Sequence, residues 1–154
     1  MDTLNGLPLH PLMVHFVVVA IPVAALVAIV AALWPRARTK LGIVTPVISL
    51  IALIATPIAT TAGEGLEEHL PPTEALTTHT EAGDVVIIGI GCLFGATALL
   101  YLLGTRSVAA RVPLPAVADV IARVLVVAAA IASLYLVFQA GDTGSHAVWD
   151  GIMG

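Results

Sequence analysis

Four long apolar stretches dominate this sequence and leave little choice of fold. They cover residues 11–34, 41–62, 85–103 and 117–140. The hydrocarbon core of a bilayer is about 30 Å thick, and an α-helix of about 20 residues spans it. Because lipid offers no hydrogen-bond partner to a peptide group, each stretch has to be helical. The sequence therefore predicts four transmembrane helices.

The composition excludes both a soluble domain and a disordered chain. Hydrophobic residues make up 59 % of the chain and charged residues 10 %, whereas soluble domains have about 45–50 % and about 25 %. Disordered chains lack apolar residues. The single cysteine, Cys92, excludes an intrachain disulfide and any CxxC metal or redox motif. We therefore expect a small integral membrane protein whose immediate partner is the lipid bilayer.

The connections between the stretches indicate how the helices pack. Residues 35–40 and 104–116 form short connections, and residues 63–84 form a longer, acidic one. Helices joined by short connections are usually antiparallel neighbours. The prediction is a single domain, 1–154, with an all-α fold: an antiparallel four-helix membrane bundle.

The charged residues sort between the two sides of the predicted bundle. All six basic residues lie in or beside the two short connections: Arg36, Arg38, Lys40, Arg106, Arg111 and Arg123. Nine of the ten acidic residues lie opposite: Asp2, Glu64, Glu67, Glu68, Glu74, Glu81, Asp84, Asp142 and Asp150. The positive-inside rule makes the basic side cytoplasmic. Both termini and the 63–84 segment are therefore predicted to lie outside, in a multi-pass protein of the cell membrane.

The tenth acidic residue, Asp119, lies on the basic side. It precedes Arg123 by four residues, which is about one helical turn. That spacing predicts an ion pair between the two side chains.

The five histidines all fall on the predicted outer side: His10, His15, His69, His79 and His146. Imidazoles and carboxylates gathered at one end of a bundle are what a metal, a haem or a proton path requires. His10 precedes the first span, and His15 lies about one turn inside it. An ionisable group inside a span is by default a functional candidate, so both histidines are candidate cofactor ligands.

The segment after the second span supplies further candidates. Glu64 and Glu68 are four residues apart and would share one face of a continuing helix, with His69 beside them. His79 opens the third span, and Gly83, one turn further in, would leave room for a flat cofactor against it. The candidate metal ligands are His10, His15, Glu64, Glu68, His69 and His79. Beyond the fourth span, Gly141 is predicted to end the helix.

Motifs of the common enzyme and nucleotide-binding classes are absent. The sequence has no P-loop, Rossmann fingerprint, GxSxG elbow or HExxH. Its few basic residues form ordinary inner connections rather than a nucleic-acid surface. No nucleic-acid partner is expected, and an enzymatic activity has no support in the sequence.

Several segments resemble one bacterial membrane family. Residues 6–16, GLPLHPLMVHF, resemble the L-H-P-x-x-V-H-F opening of the family known as domain of unknown function 2231. Residues 63–67, the step from His79 to Gly83, and residues 141–144 resemble its later motifs, so the resemblance covers nearly the whole chain. It implies a four-span membrane protein. The histidines at span ends are also similar to those of small membrane cytochromes, which is an analogy.

Two functions remain open from the sequence. In the first, His15 and His79 ligate haem b with His10 nearby, or the histidine and carboxylate set binds a Cu, Zn or Fe ion, in an electron-transfer or redox role. In the second, the protein is an accessory subunit of a respiratory or other membrane complex, and its histidines are only hydrogen-bonded. A homo-oligomer is compatible with both. The sequence favours the cofactor-bearing function.

Overall fold

Five helices make up almost all of the fold in the part of the chain that the structure describes. A computed structural model describes residues 3–4, 7–67, 73–105 and 115–153. The helices are α1 (Leu9–Leu33), α2 (Pro35–Leu41), α3 (Val44–Glu67), α4 (Glu74–Leu103) and α5 (Ala116–Met153). Two short strands precede them and pair antiparallel, β1 (Thr3–Leu4) and β2 (Leu7–Pro8). Helices α1, α3, α4 and α5 are long and apolar enough to cross a membrane, which confirms the predicted all-α, four-span fold.

The four long helices pack side by side in chain order. Helix α1 packs on α3, α3 on α4, α4 on α5, and α5 returns to α1, so α1 and α4 are diagonal to each other. One end of the bundle, which we call the histidine end, brings together His10, Gly63, His79 and Gly144. The other, the arginine end, brings together Arg38, Asp119 and Arg123. The start of α1 and the last turns of α5 therefore lie at the same end.

Small side chains fill the centre of the bundle. Ala24, Ala25, Ala28 and Ala32 of α1 have no exposed surface. In lipid there is no hydrophobic force between helices, and close backbone approach over small residues is what favours their association. Larger side chains close the core on either side, namely Ile21, Ile90, Leu93 and Val126.

Buried hydroxyl groups in the bundle bond to their own helices. Four of them donate to the carbonyl oxygen four residues earlier, at distances of 2.8 to 3.1 Å: Ser49, Thr56, Thr97 and Ser133. This local bond satisfies a polar side chain without a partner from another helix. The apolar core can therefore accommodate these residues at a low cost in free energy.

An ion-pair cluster ties the helices together at the arginine end. Arg123 Nε donates to Asp119 Oδ2 at 2.8 Å, which confirms the predicted pair. Arg38 of α2 reaches the same carboxylate, with Nη1 at 2.5 Å from Oδ1. Each arginine also donates to a backbone carbonyl, Arg38 to Leu100 of α4 and Arg123 to Ala32 of α1. One carboxylate thus organises contacts among four helices.

Helices α4 and α5 extend furthest beyond the predicted spans. Helix α4 begins at Glu74, well before residue 85, because the hydroxyl of Thr73 caps its first turn by accepting from the Leu76 N–H at 3.2 Å. Helix α5 continues through Gly141 to Met153. The prediction that Gly141 ends this helix is wrong. On the far side of Gly141 the chain is still helical, and the Thr143 side-chain hydroxyl donates back to the Gln139 carbonyl at 3.0 Å.

Candidate cofactor site at the histidine end

A cavity of about 130 Å³ opens at the histidine end between the four long helices. We call it the histidine cavity. Most of its wall is apolar, formed by side chains that include Val14, Val17, Val86, Val137 and Ala140. Its polar groups are few, namely His10, Thr56, Thr60, Glu64, His79 and Thr80. A concave, mostly apolar site with a small number of converging polar groups is typical of a site for a small molecule or cofactor.

His10 is fixed on this cavity by a contact between α1 and α3. Its Nδ1 lies 3.0 Å from the carbonyl oxygen of Ala59. Because a carbonyl oxygen only accepts, Nδ1 carries the proton, and in the neutral ring the lone pair is on Nε2. The ring lies against Gly63, where a Cβ would come within 2.8 Å of His10 Cε1. Both the protonation and the orientation of this imidazole are therefore set by α3.

His79 is fixed in a similar way by a contact between α4 and α5. Its Nδ1 lies 3.3 Å from Thr143 Oγ1. The hydroxyl proton of Thr143 is already directed at the Gln139 carbonyl, so His79 Nδ1 is the donor in this bond. The ring lies against Gly144, where a Cβ would be 2.9 Å from His79 Cε1.

The two halves of the bundle thus repeat one arrangement. In each hairpin, a histidine near the start of the first helix packs against a glycine near the end of the second, as His10 does on Gly63 and His79 on Gly144. The sequence pattern indicated both histidines but predicted that Gly83 leaves the space beside His79. A Cβ on Gly83 would make only an ordinary 3.5 Å contact with Thr60. Gly144 is the glycine that His79 requires.

The structure brings together some predicted site residues and separates others. His10, His79 and Glu64 line the same cavity, with Glu64 exposed. His15 is exposed, is not among the residues that line the cavity, and has its Nδ1 2.6 Å from the Pro11 carbonyl of its own helix. His146 lines a separate cleft with Glu74, Thr78 and Thr143. Glu68 and His69 lie outside the described residues.

The histidine cavity offers two imidazoles rather than a cage of protein ligands. Within the part of the chain that the structure describes, no group of three or more His, Cys, Asp or Glu side chains is placed to hold a metal ion. The two imidazoles come from α1 and α4, the diagonal helices of the bundle. A ligand between them would contact both hairpins at once.

A comparison with known protein families identifies the family of this chain. The model of a family described as "Predicted membrane protein (DUF2231)" matches residues 6–154. The chain belongs to this family. The matched range includes the residues of both histidine–glycine contacts and of the ion-pair cluster. No curated protein and no solved structure matches the chain. The description of DUF2231 gives a membrane location and no activity.

Proposed function

We propose that this protein binds a metal-containing cofactor in the histidine cavity, with His10 and His79 as its ligands, and that it serves in electron transfer. The observation that carries the proposal is the convergence of these two imidazoles, from diagonal helices, on one largely apolar cavity. Imidazole is the side chain that ligates haem iron and the ions of Cu, Zn and Fe.

The hydrogen bonds behind the two rings support this function. A histidine that ligates a metal almost always donates its other ring N–H to an oxygen of the protein, which fixes the tautomer and the direction of the ring. His10 makes this bond to the Ala59 carbonyl, and His79 makes it to the Thr143 hydroxyl. In both residues Nε2 would be the ligating nitrogen.

Haem and a bare metal ion make different demands on this arrangement. If haem is the cofactor, His10 and His79 would be the two residues that hold its iron. A bare ion would complete its coordination with water, and a cavity of about 130 Å³ holds an ion with a few water molecules, each of about 30 Å³. A porphyrin would require the two hairpins to move apart. We retain both forms, and one experiment separates them.

The test is an absorption spectrum and a metal analysis of the same purified sample. The protein is expressed with haem precursor and metals supplied, purified in detergent, and measured oxidised and then reduced with dithionite. A Soret band with a sharp reduced α-band, near one haem per chain, identifies haem b. A colourless protein with about one metal ion per chain identifies a metal site.

Three histidine variants show whether the proposed ligands are the real ones. His10→Ala and His79→Ala should each lose the haem or metal while still inserting in the membrane. His15→Ala should keep it, because His15 is exposed and bonded within its own helix. If His15→Ala loses the cofactor and His10→Ala keeps it, the ligand pair is wrong. If the wild-type protein carries neither haem nor metal, the proposal fails and the accessory-subunit function is favoured.

A further inference from the structure

Thr45, in the first turn of α3, differs from the other buried hydroxyl residues. Its side chain is 5 % exposed, and its Oγ1 has no hydrogen-bond partner among the described residues. The hydroxyl groups of Ser49, Thr56 and Thr97 are equally buried, but each donates to a carbonyl of its own helix. A buried hydroxyl group without a partner is costly, so an acceptor placed within hydrogen-bond distance of Thr45 Oγ1 would stabilise this part of the protein.

Thr45 is one of the residues that line a cleft at the arginine end. The cleft has a volume of about 640 Å³, within the range of about 300–1,000 Å³ that is usual for ligand sites. Its polar wall includes Arg38, Thr45, Thr97, Tyr101, Asp119 and Arg123. We call it the arginine cleft.

The charge of this cleft is positive. The guanidinium groups of Arg38 and Arg123 share a single carboxylate, that of Asp119. Each guanidinium has five N–H groups, and the bonds described above to Asp119 and to a backbone carbonyl use two of them in each residue. The remaining N–H groups and the surplus positive charge favour an anion.

The start of α3 adds to the positive electrostatic potential of the arginine cleft. Helix α3 begins at Val44, and both Gly42 and Thr45 line the cleft. The first N–H groups of a helix have no partner within the helix and carry a partial positive charge. Phosphate groups bind at such helix starts in many proteins.

We propose that the arginine cleft binds a phosphate group, with Thr45 and the two arginines as donors to its oxygens. Charge-assisted bonds from arginine to phosphate are among the strong hydrogen bonds in proteins. The cleft lies where the apolar spans end, which is the depth of lipid headgroups. The phosphate is therefore either free in solution or part of an anionic phospholipid headgroup, and both sources present the same acceptor oxygens.

The test is thermal unfolding of the full chain in a neutral detergent. The midpoint is measured with sodium phosphate, with sodium chloride at the same ionic strength, and with mixed micelles containing phosphatidylglycerol or diacylglycerol. A midpoint raised by phosphatidylglycerol and not by diacylglycerol or inorganic phosphate identifies the lipid as the source. A midpoint raised by sodium phosphate above sodium chloride identifies the free anion.

Thr45→Val isolates the hydroxyl without changing charge or shape much. The midpoint of this variant without ligand should equal or exceed that of the wild type, because an unpaired buried hydroxyl has been removed. Its affinity for the phosphate-bearing probe should fall about tenfold or more, since a hydrogen bond to a charged group is lost. Ser49→Ala, one turn further along α3 and not among the residues that line the cleft, should respond to the probe as the wild type does.

Two results would overturn the proposal. One is a wild-type midpoint that neither phosphate nor phosphatidylglycerol raises above its control. The other is an equal response in the wild type and Thr45→Val. The first result would show that the arginine cleft binds no phosphate group, and the second that Thr45 is not a donor to one.

Discussion

His10 and Gly63 fit together so closely that no other residue can replace the glycine without moving the ring. A Cβ on Gly63 would lie 2.8 Å from Cε1 and 3.0 Å from Nδ1 of His10. The first distance is shorter than real Cβ contacts and the second is tighter than most of them, and Nδ1 is the atom that bonds to the Ala59 carbonyl. The position of the imidazole on α1 therefore depends on a missing side chain on α3.

Gly63→Ala should displace His10 while leaving the bundle folded. The added methyl group pushes the ring from Ala59, but alanine favours a helix over glycine by about 1 kcal/mol. We expect a lower cofactor content per chain and, in ¹⁵N-histidine NMR spectra, the loss of the hydrogen-bonded Nδ1 signal of His10. Gly65→Ala is the matched control, since a Cβ there would meet nothing within 4 Å. An unchanged Nδ1 signal in Gly63→Ala would show that the contact is not rigid.

Thr143→Val should weaken cofactor binding by removing the hydrogen bond that supports the His79 imidazole. Valine has the shape of threonine but no oxygen to accept the proton of His79 Nδ1. Loss of such a supporting bond typically weakens metal binding about 10–100-fold, and we expect an effect of this size on cofactor affinity, measured by titration of the apoprotein. Thr143→Ser keeps the hydroxyl and should restore binding. Equal affinity in the valine and serine variants would exclude an orienting role for Thr143.

Asp119→Asn should destabilise the arginine end. Removing the charge leaves Arg38 and Arg123 facing each other without a carboxylate between them. The three side chains are 18 to 37 % exposed, so solvent screens part of the effect. We expect a loss of about 1–3 kcal/mol in the free energy of unfolding, measured by denaturation in detergent micelles. Asp142→Asn, an exposed change on the same helix, should stay within about 0.5 kcal/mol of the wild type.

Cysteine labelling should show which end faces the cytoplasm. In a background in which Cys92 is replaced by alanine, Thr39→Cys reports on the arginine end and Ser145→Cys on the histidine end. Both positions are exposed. The distribution of basic residues predicts that a membrane-impermeant maleimide labels Ser145→Cys in intact cells and Thr39→Cys only after the membrane is opened. The reverse labelling pattern would show that the protein has the opposite orientation in the membrane.

The sequence predicted those features that depend on one helix at a time. Apolar length located the four spans, and the short connections placed the histidines and the arginines at opposite ends. Helix ends were less accurate, because the cap at Thr73 and the continuation of α5 past Gly141 depend on local hydrogen bonds that hydropathy does not register.

Which side chains line the site depends on how each helix is rotated about its own axis. The packing between helices determines that rotation. Residues five apart on a helix differ by about 140° in direction. The rotation that turns His10 toward the cavity therefore turns His15 away from it. Arg38 was missed for a related reason. It meets Asp119 of α5 only through tertiary packing, because the two residues are 81 positions apart in the chain.

The alanines of α1 also separate the two polar ends of the bundle from each other. The side chains of Ala24, Ala25 and Ala28 are fully buried midway between the histidine cavity and the arginine cleft. In this part of the described structure, water and protons find no polar side chain to follow along α1. Any polar path between the two ends would have to run through the buried hydroxyl groups of the other helices, and those of Ser49, Thr56, Thr97 and Ser133 are each bonded within their own helix.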